Sequence, residues 1–174
     1  MMISEILDGS ESTLIGCIIG NSTHGDTTFT AEMSGKPWNG DFDCSHNNLA
    51  SLDGAPSSTT GFFRCSYNYL TSLKGAPSSI GSYFDCSSNE LASLHDIHKI
   101  IKKMNGEFWA NHNPIKSCIL GVLLIEGCNE IIIDDAIKVS KIINKYLPNT
   151  RGFSAVIDCQ SELLDAGLDE FAKL

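Results

Sequence analysis

The chain is short of positive charge, of long apolar runs and of the usual catalytic signatures. Its 174 residues hold 12 Lys and Arg against 21 Asp and Glu, a formal net charge of -9. Direct binding of nucleic acid is not expected on that balance, because phosphate recognition needs basic side chains to displace counterions. An anionic membrane surface is not expected for the same reason. A basic protein partner fits the charge, drawn in by long-range attraction, although mild acidity by itself also keeps a protein in solution. The most apolar run, Ile119 to Ile125, is seven residues and contains Gly121; roughly 20 are needed to span a bilayer. MMISEILDGSES has no basic region and no long apolar stretch before its first acids, so no secretory signal is read and a cytoplasmic protein is expected. There is no Gly-rich phosphate loop and no G-x-S-x-G elbow. No cofactor, no metal and no enzymatic activity are expected.

Cysteine, by contrast, is plentiful: Cys17, Cys44, Cys65, Cys86, Cys118, Cys128 and Cys159. In a reducing compartment these stay thiols. Their odd number, and the regular spacing of three of them, point to packing.

That spacing belongs to a repeat. Gly40 to Thr60 reads GDFDCSHNNLASLDGAPSSTT, Gly61 to Gly81 reads GFFRCSYNYLTSLKGAPSSIG, and Ser82 onward reads SYFDCSSNELASLHDIHKIIK. The 21-residue frame is F-x-C-x-x-N-x-L-x-S-L, with Phe42, Phe63 and Phe84 in its first place. A worn fourth copy follows after a three-residue insertion, with Phe108, Ala110, Asn113, Ile115 and Cys118 in the corresponding places. F-x-C has a period of 2, so it predicts a short strand with Phe and Cys facing inward. Cys44, Cys65 and Cys86 then stack on adjacent rungs. Asn47, Asn68, Asn89 and Asn113 lie where the chain must bend, and their amides predict a hydrogen-bonded ladder to backbone groups left unpaired there. The two leucines return the chain to the core, and Gly-Ala-Pro-Ser-Ser reads as the turn that closes the coil. One coil cannot bury its own apolar face, whereas stacked coils can.

The frame resembles the leucine-rich repeat, L-x-L-x-x-N-x-L, with Phe and Cys in place of two leucines. More closely it resembles short leucine-rich-repeat proteins of bacteriophages and prophages, which share cysteine-containing coils, G-A-P-x-x turns and a helical C-terminal tail. The resemblance covers roughly residues 40 to 174. It implies a phage or prophage accessory protein, working in the host cytoplasm, that binds and modulates or inhibits a host protein. Secreted bacterial ubiquitin ligases also use short leucine-rich repeats, but the large helical domain that carries their cysteine has no counterpart here.

The expected fold is therefore α+β: a short leucine-rich-repeat parallel β-solenoid over 39–133, an N-terminal β-hairpin cap over 1–38 and a C-terminal helical-hairpin cap over 134–174. Thr13 to Ile19 and Thr27 to Met33 are the hairpin strands, joined by a loop of turn residues. The runs VLLIEG and EIIID predict one or two further strands. Asp134 or Asp135 caps a helix to about Leu147, its apolar stripe made by Ile137, Val139, Ile142, Ile143, Tyr146 and Leu147, and Pro148 ends it. A second helix starts near Ser154 and turns Val156, Ile157, Leu163 and Leu164 to the core before Gly167 interrupts it.

If Phe and Cys point in, their neighbours point out onto the concave sheet. Those are Asp41, Asp43 and His46; Phe62, Arg64 and Tyr67; Tyr83, Asp85 and Ser88; and Glu107, Trp109 and His112. Phe62, Tyr83 and Trp109 form a stripe of large aromatics among acids, the composition of a protein-binding hot spot unless a cap covers it. Other readings remain. An acidic inhibitor could mimic nucleic acid and block a basic nuclease or polymerase. An enzyme could use Cys17, His24 and Asp26, and His95, His98 and Cys118 could hold a metal, although a short solvated helix accounts for that histidine pair. Self-association through a solenoid edge or end is a fourth reading.

Overall fold

In a computed structural model of the chain, the described residues are 29, 33–133, 137–147 and 153–174. The expected hairpin lies outside them apart from Phe29 and Met33, as do Cys17, His24 and Asp26. Asp134, Asp135 and Pro148, read as helix limits, also lie outside.

The chain winds into a parallel β-solenoid of about four turns, followed by a helical part. Each early coil contributes two strands of two residues. β1 (Pro37–Trp38), β3 (Ser58–Thr59) and β5 (Ser79–Ile80) form one ladder. β2 (Phe42–Asp43), β4 (Phe63–Arg64) and β6 (Phe84–Asp85) form the other. A short helix, α1 (Ile97–Ile100), precedes β7 (Lys103–Trp109), which is long enough to join both ladders. β8 (Glu126–Ile132) pairs with β7. The register partners Phe42, Phe63, Phe84, Phe108 and Ile131 follow one another at 21, 21, 24 and 23 residues. The step to 24 is the insertion read in the fourth copy.

Strands of two residues give little pairing energy, so stacking must hold the coils together. Phe42, Phe63, Phe84 and Phe108 are fully buried. Their ring centroids are separated by 5.3, 5.8 and 5.1 Å from rung to rung. Each fully buried Phe contributes about 2–3 kcal/mol through removal from water. Cys44, Cys65 and Cys86 fill the adjoining column and are also fully buried.

The Gly-Ala-Pro-Ser-Ser segment is more than a turn. Gly54 and Gly75 make the turn, with φ of 94° and 91°. Ala55 and Ala76 then donate to the Leu52 and Leu73 carbonyls, both at 3.0 Å. The serines that follow form the second ladder, where Ser78 N–H donates to the Ser57 carbonyl at 2.9 Å. At Gly75 a Cβ would lie 2.6 Å from the Leu52 carbonyl group. The turn thus requires glycine both for its positive φ and for close approach of the preceding coil.

In the C-terminal half, the apolar run before β8 departs from the expected strand. Leu120–Leu124 is a 3-10 turn with Leu120, Val122 and Leu123 buried. α2 (Ile137–Tyr146) packs on β8, and α3 (Phe153–Asp165) packs on α2 and on that turn. Val139, Ile142, Ile143 and Leu147 are buried as the periodicity predicts. Asn144 places its amide against the last rung, accepting from Ile131 N–H at 2.8 Å and donating to Ile131 C=O at 2.9 Å. On α3 the buried residues are Val156, Cys159 and Leu163. Ile157 and Leu164, expected in the core, are exposed. Among the described residues, no helix is long and apolar enough to cross a membrane.

Candidate interaction surface

The surface begins with the asparagine ladder, because that ladder sets the bend after each F-x-C strand. Asn68 donates to the carbonyls of Cys44, Cys65 and Ser66 at 3.0, 2.9 and 3.2 Å. Its Oδ1 accepts from Leu49 N–H at 2.9 Å and Asn47 N–H at 3.0 Å. Asn89 and Asn113 repeat the pattern one and two rungs on, accepting from Leu70 and Leu91 N–H. Each amide ties one coil to the next. The residue before each asparagine pays in strain: His46, Tyr67, Ser88 and His112 have φ of 57°, 54°, 53° and 53°. A left-handed conformation costs a non-glycine residue about 1–2 kcal/mol, and the buried amide bonds offset it.

Outside the inward Phe and Cys columns, the ladder brings Phe62, Tyr83 and Trp109 together with Asp43, Arg64 and Asp85, although Asp85, expected to face outward, is buried. Phe62 and Tyr83 stack with centroids 4.9 Å apart, and Tyr83 and Trp109 stack at 5.5 Å. The second contact is diagonal. Asp85, not Tyr83, is in register with Trp109. The indole leans back onto Tyr83, and its Nε1 donates to Glu107 at 2.6 Å. All three rings are half-buried. His46 stacks on Tyr67 at 4.3 Å, leaving Tyr67 56% exposed. His112 is exposed on the last of these bends, and Ser88 is half-buried.

Arg64 is the one Lys or Arg among the residues expected on this face, and it pairs with two of the four carboxylates there, Asp43 and Asp85. Asp43, Arg64 and Asp85 are in register on successive rungs. Arg64 lies 3.1 Å from Asp43 and 3.4 Å from Asp85, and donates to the Tyr83 hydroxyl at 2.7 Å. Its guanidinium also sits 5.1 Å from the Phe62 centroid and 5.7 Å from that of Tyr83. Burial alone would lower the Arg64 pKa; Tyr83 and the two carboxylates outweigh it and raise it. Burial raises the Tyr83 pKa, against the pull of Arg64. Asp43 and Asp85 each also accept from the serine two residues on. Asp41 accepts from Phe62 N–H at 3.0 Å. An open depression of about 370 Å³ lies beside Arg64, with His46 and Tyr67 on its wall.

No family model, curated protein or solved structure matches the chain.

The remaining candidates are placed as follows. Cys44 and Cys86 donate their thiols to the Arg64 and Trp109 carbonyls at 3.2 and 3.3 Å. Burial pushes the Cys65 and Cys86 thiols well above their ordinary pKa, which opposes both nucleophilic and ligating roles. Among the described residues, no group of three or more His, Cys, Asp or Glu could hold a metal ion. His95 and His98 flank the start of α1. His95 Nδ1 is 3.1 Å from the Leu174 carbonyl. His98 Nδ1 is buried without a hydrogen-bond partner, close against Gly121, and burial lowers its pKa.

What sequence reasoning missed is Arg64's place between two carboxylates. The signal was present: Asp43, Arg64 and Asp85 recur at the repeat spacing of 21 residues.

Proposed function

We propose that this protein is a protein-interaction module and that the face carrying Phe62, Tyr83 and Trp109 is its binding surface. One observation carries the reading: three half-buried rings stacked as a continuous file on a rigid parallel ladder. Rigid aromatics lose little entropy on binding, and such residues dominate interface hot spots. In this reading the solenoid is of the leucine-rich-repeat kind, and the segments before and after it cap its apolar ends. Following the resemblance of its repeat, it is a phage or prophage accessory protein that binds and modulates or inhibits a protein in the host cytoplasm.

An acidic mimic of nucleic acid is the second reading, supported by the net charge of -9. The alternation of Asp43, Arg64 and Asp85 weighs against it on this face, because a mimic needs carboxylates free of internal cations. The two readings separate experimentally. Tyr83→Ala and Trp109→Ala should abolish capture of a host protein that wild type enriches, while Asp41→Asn should leave it and salt should weaken it only mildly. Capture that survives the aromatic changes but collapses with salt and with Asp41→Asn would support the mimic instead.

A further inference from the structure

α3 has two apolar stripes, and only one is used within the fold. Val156, Cys159 and Leu163 are buried against the rest of the molecule. Phe153, Ile157 and Leu164 are 68%, 59% and 47% exposed. Separations of four and seven residues set these three on one line of the helix surface. Gln160 falls between them, and its Nε2 donates to the Ala172 carbonyl at 2.8 Å. Single exposed apolar residues are ordinary, but three large ones aligned on a helix mark an interaction site.

The rim of this seam is acidic. α3, FSAVIDCQSELLD, has no Lys or Arg. Glu162 is engaged by Lys145 at 2.6 Å and by the Tyr146 hydroxyl at 2.7 Å. Asp158 and Asp165 are exposed and form no ion pair with a Lys or Arg among the described residues. We propose that this seam docks an amphipathic helix of a partner protein whose apolar ridge is flanked by Lys or Arg. Aliphatic and aromatic side chains would pack ridge to ridge, and the basic flanks would face Asp158 and Asp165. A second copy of this chain fits less well, since pairing two α3 helices brings acidic rims together in a molecule already at -9. The seam is separate from the aromatic file on the β2-β4-β6-β7 ladder and does not depend on it.

The test uses the full-length protein and two labelled helical peptides with the same leucine ridge, one flanked by Lys and one by Glu, read by fluorescence anisotropy. The Lys peptide should bind at least about tenfold more tightly than the Glu peptide, and rising salt should weaken it. Ile157→Ser should cost about tenfold, as should Asp158→Lys combined with Asp165→Lys. These positions are exposed, so unfolding temperatures should match wild type. Equal affinity for the two peptides, no binding of the Lys peptide, or indifference to Ile157→Ser would overturn the proposal. So would loss of peptide binding in Tyr83→Ala, which would move the site to the ladder face. A dimer in sedimentation that Ile157→Ser dissolves would assign the seam to a second copy and overturn it as well.

Discussion

At the scale of single residues, the buried asparagines and thiols carry the sharpest expectations. Removing the Asn68 amide strands Leu49 N–H in a buried site. An unsatisfied buried group costs about 1–3 kcal/mol, so Asn68→Ala should lose about 1–3 kcal/mol in urea unfolding. Asn47, half-buried on the first described rung and donating to its neighbour Ser45, should lose much less. Equal losses would contradict the ladder. The thiols make stability depend on pH. Burial keeps the Cys65 and Cys86 protons on well above the ordinary value of 9.0, and holds Cys128 and Cys159 at about 12. Unfolding frees these thiols to ionise from pH 9 upward. Their contribution is therefore full below pH 9 and declines as pH rises toward 12. The slope should approach about 1.4 kcal/mol per pH unit for each thiol, and Cys65→Ala should flatten it. A slope unchanged by that substitution would count against the buried thiol column.

At the scale of elements, α2 meets the open edge of the last rung. Asn144 presents its amide to Ile131 as another strand would, satisfying both the N–H and the C=O. Exposed strand edges invite pairing with other chains. Asn144→Leu preserves size but orphans both groups, and should cost about 2 kcal/mol by denaturant midpoint. It should also promote concentration-dependent association, seen in light scattering. An unchanged midpoint and a monomer at all concentrations would show that the edge needs no such partner. Legibility varied most among the elements. Strand F-x-C was readable because Phe and Cys alternate with an exposed residue. The Ser58–Thr59 and Ser79–Ile80 strands were hidden because Gly, Pro and Ser signal turns, and two-residue strands leave no periodicity. On α3 the wrong stripe was partly chosen: Ile157 and Leu164 repeat at helical spacing as well as Val156 and Leu163 do. Only the position of the 3-10 turn and α2 decides which pair is buried.

At the scale of the whole molecule, a strict 21-residue period brings residues distant in sequence into single columns, and that is how Phe62 and Tyr83 come to stack. Trp109 joins them across a 24-residue step by leaning off its own register position. The sequence pattern placed these rings together but not the Arg64 link beneath them, because that link depends on side chains meeting between rungs. The same geometry ties function to fold, since the rings would bind as one rigid edge rather than as separate side chains. The most direct test is quantitative capture from lysate of the proposed host by wild type, Tyr83→Ala and Trp109→Ala, each first shown by circular dichroism to keep the wild-type fold. The binding account predicts one or a few proteins enriched by wild type and lost from both variants. Equal enrichment by folded variants would contradict it.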